Sequence, residues 1–178
     1  HSVRVVEPDT GQIQHRASLL VNGSSPNQLQ FTAFASVAKV TTDANDGDGS
    51  LRKLIRDAGE AVKPLLIQFD PGAFPPGVPS AIDLEFALPV LATDDVTIDG
   101  TDATGAAGNR IVDAGGLPIG VLSITGARNH LIGLRLRGAG EGNRDVLNIS
   151  GPQAEANLVE QTIINGAATA DGVGIDQG

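Results

Sequence analysis

Two segments of the chain, VLSITG at 121–126 and VLNISG at 146–151, are near-copies of each other. The isoleucine of this pattern recurs at nearly equal intervals, at Ile124, Ile149 and Ile175. The repeat lacks the apolar spacing of a helix, so it favours short strands. A repeat of this length predicts a solenoid, in which every coil stacks on the preceding one and buries a continuous core.

The repeat also predicts which side chains are buried. Strands of successive coils would form parallel ladders about 4.8 Å apart, with side chains pointing alternately into the core and out of it. The residues expected to point inward are Leu122, Ile124, Leu147 and Ile149, and those expected to point outward are Ser123, Thr125, Asn148 and Ser150.

A second strand repeats as well. Leu131 and Leu158 are separated by nearly the same interval, and an asparagine precedes each of them, Asn129 and Asn157. We expect the two leucines to be equivalent. We expect the asparagines to adopt the left-handed backbone conformation of a turn, which Asn tolerates best after Gly. Asp95, before VTIDG, indicates an earlier copy with a longer loop.

The composition agrees with an all-β chain and excludes several classes of function. There are 23 glycines, only 3% aromatic residues and no cysteine, which excludes disulfides and thiolate chemistry. A net charge of -9 argues against a nucleic-acid partner. No apolar run approaches the roughly 20 residues that span a bilayer, so we expect no membrane insertion.

One amphipathic helix is predicted after residue 49. Ser50 is a suitable N-cap, and Pro64 prevents the helix from continuing. A solenoid leaves the core of its first coil uncovered, so we expect this helix to cap that end. The apolar stripe of the helix consists of Leu51, Leu54, Ile55, Ala58 and Val62.

These patterns divide the chain into three parts. Residues 1–36 contain three strand-like runs, at 2–7, 17–23 and 28–35, and form a small β cap or the end of a preceding domain. Residues 37–64 hold a capping strand and the amphipathic helix, and residues 65–178 form three to four coils. We expect the last coil to be truncated at Gly178 and its open strand edges to support end-to-end self-association.

The segments VTTDANDGDGSLRKLI, IQFDP, LPVL, VTIDG and GLRLRG together resemble the start of secreted bacterial right-handed parallel β-helix proteins, the pectin-lyase-like superfamily. More narrowly, they resemble adhesin-like surface proteins with a Gly-Ser-Leu-Arg capping segment. The resemblance implies a right-handed parallel β-helix in an exported, extracellular or cell-surface protein whose partner is carbohydrate or a cell-surface component. It does not choose an activity, because the superfamily contains lyases, hydrolases, tailspikes and adhesins.

Arg135 and Arg137 are the candidate ligand-binding residues. They alternate in LRLRG, so both should project outward from one coil, where they could bind an acidic sugar or a carboxylate. The alternative is a solvated face on which these arginines pair with Glu141 or Asp145.

The turn DANDGDG contains a candidate calcium site. Asp43, Asn45, Asp46 and Asp48 crowd oxygen ligands into one turn, although the spacing is not that of an EF-hand. The alternative is an acidic turn at a helix N-terminus, where the macrodipole stabilises negative charge. Calcium is the one cofactor that the sequence brings into consideration.

The repeating coils show no pair of carboxylates on their outward positions, which glycoside hydrolysis requires. We therefore expect a non-catalytic scaffold or binding module of an exported surface protein, for adhesion or carbohydrate attachment. The first alternative is the N-terminal part of a polysaccharide lyase or glycoside hydrolase whose active site lies in further coils. The second is an inert structural spacer.

Overall fold

The computed structural model describes residues 34–138, 145–166 and 172–176. The first two strand-like runs predicted in the N-terminal part lie outside the described residues, as does most of the third. Phe34 and Ala35, at the end of the third run, are not in a strand.

The described residues form a β-solenoid from twelve strands in three parallel sheets. Sheet 1 contains β1 (Ser36–Val40), β2 (Leu65–Phe69), β4 (Val96–Asp99), β7 (His130–Ile132) and β10 (Leu158–Glu160). Sheet 2 contains β3 (Ser80–Asp83), β5 (Arg110–Asp113), β8 (Leu134–Arg137) and β11 (Ile163–Asn165). Sheet 3 contains β6 (Leu122–Ile124), β9 (Leu147–Ser150) and β12 (Val173–Asp176).

The solenoid has about five turns. Residues 65–178, for which three to four coils are expected, contain four strands of sheet 1, and β1 adds one further turn before them. The strand predicted as part of a cap, β1, pairs in parallel with β2 and places Ser36 opposite Leu65. It therefore belongs to the first turn of sheet 1. The long loop at 70–79 between β2 and β3 hides the repeat in this part of the sequence.

The predicted alternation in the repeating coils is confirmed. Leu122 and Ile124 are buried, and Ser123 between them is half-buried. β9 shows the same alternation, and Ile124 lies opposite Ile149 in the parallel ladder. The stacked apolar residues form one core that runs along the axis of the solenoid.

The predicted equivalence of Leu131 and Leu158 is wrong by one residue. Leu131 pairs with Val159, and Leu158 pairs with His130. Because side chains alternate along a strand, the shift of one residue puts the two leucines on opposite faces. Leu131 is 0% exposed and Leu158 is 47% exposed.

The left-handed turn residues differ from those predicted. Positive φ angles occur at Asp95 (58°), Arg128 (55°) and Ala156 (56°), which align in successive turns of sheet 1. Asn129 and Asn157 each follow such a residue and have no positive φ. The left-handed residue of the turn is therefore the one directly before the asparagine.

The asparagines instead link successive turns. The backbone N–H of Val96 donates to Oδ1 of Asn129 at 3.0 Å, and the backbone N–H of Asn129 donates to Oδ1 of Asn157 at 2.8 Å. The side-chain amide of Asn157 donates to the carbonyl of Gly126 at 2.9 Å. These side chains satisfy backbone groups at the corner of the coil that would otherwise be buried without a partner.

The capping helix α1 (Leu51–Asp57) begins at the predicted N-cap. The Ser50 hydroxyl accepts a hydrogen bond from the backbone N–H of Lys53 at 3.2 Å. The helix ends in a short 3-10 turn at 58–60, so Val62 falls beyond it and is exposed, contrary to the predicted stripe. The cap residues that join the solenoid core are Leu51, Ile55 and Ala58, with Leu54 partly buried against it.

No helix in the described ranges is long and apolar enough to cross a membrane.

Candidate functional site

The outer face of sheet 2 carries two columns of side chains in register over four turns, and we call it the ladder face. Each column contains one outward residue from each of the strands β3, β5, β8 and β11. The polar column consists of Asp83, Asp113, Arg137 and Asn165, and the second column consists of Ala81, Ile111, Arg135 and Ile163.

Arg137 projects outward as predicted, but its partner differs from the expected ones. Its Nη1 lies 3.1 Å from Oδ2 of Asp113, on the neighbouring strand. The other carboxylate oxygen of Asp113 accepts the backbone N–H of Gly115 at 2.9 Å. Glu141, one of the two predicted partners, lies outside the described residues. The Arg137 side chain remains 54% exposed, so a ligand can reach it.

The Arg135 side chain also points away from the core, but it is half-buried. Gly108 approaches it closely, since a Cβ at that position would lie 3.7 Å from Nη2 of Arg135 and 3.1 Å from Cδ1 of Ile163. The Arg135 Nε is buried and has no hydrogen-bond partner within the described residues. The structure therefore leaves Arg137 as the more accessible arginine of the predicted pair.

Arg52 forms hydrogen bonds with one residue of the turn that is predicted to bind calcium. Oδ1 of Asn45 accepts hydrogen bonds from Nη2 of Arg52 at 3.0 Å and from the backbone N–H of Glu85 at 3.3 Å. The carbonyl of Asn45 accepts from Nε of Arg52 at 2.8 Å. One of the four predicted ligands thus holds the cap against residues 84–88.

The carboxylates of this turn are exposed. The backbone N–H of Gly47 and the guanidinium of Arg56 lower the pKa of Asp46 below its usual value. Asp43 and Asp48 point to solvent. Within the described ranges, no three or more His, Cys, Asp or Glu side chains are grouped closely enough to hold a metal ion. Calcium binding by this turn stays a prediction.

Arg52 is a buried arginine that the sequence did not reveal. It is 3% exposed, and its guanidinium donates to the carbonyls of Phe86 at 2.6 Å and Ala87 at 2.7 Å. Its guanidinium carbon lies 4.1 Å from the centroid of the Phe86 ring. Together with its bonds to Asn45, these contacts fasten the capping helix to the second turn.

Arg110 is a second buried arginine, in an inward position opposite Leu134. It is 1% exposed, and its guanidinium donates to the carbonyls of Phe74 at 2.7 Å and Val78 at 3.2 Å. It therefore fixes the long loop at 70–79 over the core. An alternating strand such as RIVD gives no indication in the sequence that the arginine faces inward.

Asp102 is a buried carboxylate that gathers donors from two loops. It accepts backbone N–H groups of Gly77 at 2.8 Å, Thr104 at 2.9 Å and Ala106 at 3.0 Å. It also accepts the Thr104 hydroxyl and the Asn109 side-chain amide. The Thr104 hydroxyl first, and then the backbone donors, hold the pKa of Asp102 far below its usual range.

The lowered pKa makes the stability of the solenoid depend on pH through Asp102. When folding lowers the pKa of a carboxyl group, that group stabilises the fold at pH values above its unfolded-state pKa of about 3.9. This stabilisation is lost as the pH falls through the folded-state pKa. We expect Asp102→Asn to lower the free energy of unfolding at pH 7 and to reduce its decline between about pH 5 and pH 2. Urea denaturation at several pH values measures both effects. The exposed Asp83→Asn is the control, and an unchanged pH dependence in Asp102→Asn would contradict this role.

A groove of about 290 Å³ crosses the start of the strands in sheet 1. The Arg128 guanidinium binds Asp95 through two hydrogen bonds of 2.8 Å and reaches Asp94 at 3.2 Å. Asp94 and Asp95 can both contact this guanidinium, because Asp95 lies in the left-handed turn before the strand. His130 begins β7, and its Nε2 lies 3.1 Å from the Glu160 carboxylate.

Comparisons of the chain with protein-family models, with curated proteins and with solved structures found no match. Function is therefore inferred from the contacts of the described residues.

Proposed function

We propose that the chain is a non-catalytic β-solenoid scaffold that binds an extended, neutral carbohydrate on its ladder face. The observation that carries this proposal is the in-register pair of columns on sheet 2, one mainly aliphatic and one polar. Sugar rings present both C–H surfaces and hydroxyl groups. A surface that repeats both kinds of contact at every turn is suited to a polymer that repeats in the same way.

The spacing supports a polymeric ligand. Strands in a ladder lie about 4.8 Å apart, which is close to the advance of one sugar in an extended glycan. Asp83, Asp113, Arg137 and Asn165 offer both acceptors and donors for hydroxyl groups. Ile111 and the stem of Arg135 offer apolar contact beside them.

The charge of the face favours a neutral ligand over an acidic one. Asp83 and Asp113 balance Arg135 and Arg137, and the most exposed arginine is already paired with a carboxylate. An acidic sugar would have to displace Asp113 from Arg137. Neutral hydroxyl groups can instead bind beside the ion pair, because the Arg137 side chain remains 54% exposed.

The buried polar groups support the scaffold part of the proposal. The hydrogen bonds of Arg52, Arg110 and Asp102 join loops and the capping helix of the same chain to the coils. Such contacts hold the irregular segments rigidly on the coils. A rigid surface binds a polymer with a smaller entropic cost than a flexible one.

We place the scaffold in an exported bacterial surface protein of the pectin-lyase-like type. The support is the combination of a parallel solenoid, a capping helix that starts after GDGS, and a chain without cysteine. The carbohydrate would then be a component of a cell surface or of an extracellular matrix.

Calorimetric titration with a neutral hexasaccharide, cellohexaose, tests the proposal. We expect saturable binding that Arg137→Ala weakens about tenfold, a loss of about 1.4 kcal/mol. Arg56→Ala is the matched control, because Arg56 is also paired with an aspartate and its side chain is 53% exposed, against 54% for Arg137. The control should bind as the unmodified chain does.

Three outcomes would contradict the proposal. The first is no binding of cellohexaose, and the second is equal weakening by the two arginine variants. The third is binding of an acidic oligogalacturonate in preference to the neutral ligand. Cleavage of either oligosaccharide during the titration would favour the enzymatic alternative instead.

A further inference from the structure

We infer that the peptide bond after Asp46 is a site of spontaneous isoaspartate formation, and that this modification loosens the capping helix. At such a site the backbone nitrogen of the following residue attacks the side-chain carboxyl carbon of the aspartate. A glycine in that place favours the attack, because it has no side chain to crowd the nitrogen. Three Asp–Gly bonds have both residues in the described ranges, and they follow Asp46, Asp48 and Asp99.

The Asp46 carboxyl group lies beside the nitrogen that would attack it. The backbone N–H of Gly47 donates to Oδ1 of Asp46 at 2.8 Å. Gly47 has a φ of 98°, and a Cβ added to it would meet no atom within 4 Å. The Asp46 side chain is 46% exposed, so water can reach it. Holding two reacting groups side by side raises the rate of the reaction between them.

The glycines of the other two bonds are held by packed neighbours. The backbone N–H of Gly100 donates to the carbonyl of Ile132 at 2.7 Å, and a Cβ at Gly100 would collide with the Leu134 side chain. The carbonyl of Gly49 accepts the backbone N–H of Thr41 at 2.9 Å, and a Cβ at Gly49 would collide with the Thr41 hydroxyl. Both glycines must therefore move against their neighbours before their nitrogen reaches the preceding carboxyl carbon. The reaction should concentrate at Asp46.

The modification takes two steps and consumes only water. The Gly47 nitrogen loses its proton and bonds to Cγ of Asp46, while the hydroxyl group of the protonated carboxyl leaves with that proton as water. The product is a succinimide ring, lighter than the starting chain by one water molecule. Water then opens the ring. Addition at Cγ restores aspartate, and addition at the backbone carbonyl gives isoaspartate, in which the main chain runs through the side chain of Asp46.

Arg56 restrains the first step. Its Nη2 lies 3.2 Å from each carboxylate oxygen of Asp46. The carboxyl group must be protonated to lose its hydroxyl, whereas a neighbouring guanidinium favours the ionised form. The modification is therefore slow in the intact chain, and Arg56→Ala should accelerate it.

Isoaspartate at this position changes the turn that holds the capping helix. It adds one carbon to the main chain between Asn45 and Gly47. The carbonyl of Asn45 accepts Nε of Arg52 at 2.8 Å, and the carbonyl of Gly47 accepts the hydroxyl of the N-cap residue Ser50 at 2.7 Å. A longer main chain between these two carbonyls cannot keep both in place. The modification therefore weakens the attachment of α1 to the turn before it.

Peptide mapping by mass spectrometry, after incubation in water enriched in the heavy isotope of oxygen, tests the inference. Fragmentation should locate isoaspartate with one heavy oxygen at Asp46, formed at least about tenfold faster than at Asp99. Asp46→Glu keeps the charge but would need a larger ring, so it should abolish the modification. Asp48→Glu is the matched control and should react as the unmodified chain does. No isoaspartate at Asp46, or equal rates at Asp46 and Asp99, would overturn the inference.

Amide exchange in α1 tests the effect on the cap. Exchange should be at least about tenfold faster in the converted chain than in the unconverted chain, because the helix opens more often. Incubated Asp46→Glu should show no such change. Equal exchange in the converted and unconverted chains would overturn the link to the cap. Neither measurement involves the ladder face, so the proposed carbohydrate binding stands or fails separately.

Discussion

Replacing Arg52 by alanine is expected to lower the free energy of unfolding by about 4 kcal/mol, because several buried acceptors lose their donor together. The carbonyls of Asn45, Phe86 and Ala87 all accept hydrogen bonds from this guanidinium. Its stacking on the Phe86 ring is lost as well. Urea denaturation followed by circular dichroism measures the change.

Two variants separate the contribution of the guanidinium hydrogen bonds from the contribution of the positive charge. Arg56→Ala removes an exposed arginine of the same helix, whose ion pair with Asp46 is solvent-exposed and should contribute little to stability. Arg52→Lys keeps the positive charge but cannot reach the three carbonyls at once, so it should retain only part of the stability. If Arg52→Ala cost no more than Arg56→Ala, the capping helix would not depend on these hydrogen bonds.

The repeat in the sequence predicted the stacking of the later turns because their loops have similar lengths. β6 and β9 align with the same shift that relates VLSITG to VLNISG, and Ile124 therefore meets Ile149 as the sequence indicated. The inward and outward alternation follows directly from this register. The capping helix was equally predictable, because Ser50 and the apolar stripe after it are local features.

The earlier turns were not predictable in the same way. Successive strands of sheet 1 are separated by loops of different lengths, so β1 and β2 show no fixed period in the sequence. Arg110 was missed for a related reason. A strand of alternating character does not reveal which of its two faces is inward, and a buried arginine is explained only by the carbonyls of loop 70–79 that surround it.

The candidate site was predictable in direction but not in partners. LRLRG indicates that Arg135 and Arg137 leave the same face of a strand, and they do. The contact between Arg137 and Asp113 joins residues of two stacked turns. It depends on the register between β5 and β8, which the sequence pattern around Arg137 does not encode.

The energetic consequence of register in sheet 1 can be measured, because Leu131→Ala and Leu158→Ala form a matched pair. The sequence repeat treats these leucines as equivalent, but Leu131 is 0% exposed and Leu158 is 47% exposed. We expect Leu131→Ala to lower the free energy of unfolding by about 3 kcal/mol, because it leaves a cavity between the stacked turns. Leu158→Ala should cost less than about 1 kcal/mol.

Urea denaturation of the two variants measures this difference, and Val159→Ala extends the comparison. Val159 occupies the position opposite Leu131 but lies in the last described turn, where it is only partly buried. Its replacement should therefore cost less than that of Leu131 and more than that of Leu158. Equal losses for Leu131→Ala and Leu158→Ala would mean that the turns align as the sequence repeat suggests. The ordering Leu131, Val159, Leu158 instead follows only if β10 is shifted by one residue, because the shift decides which side chain of each strand enters the core.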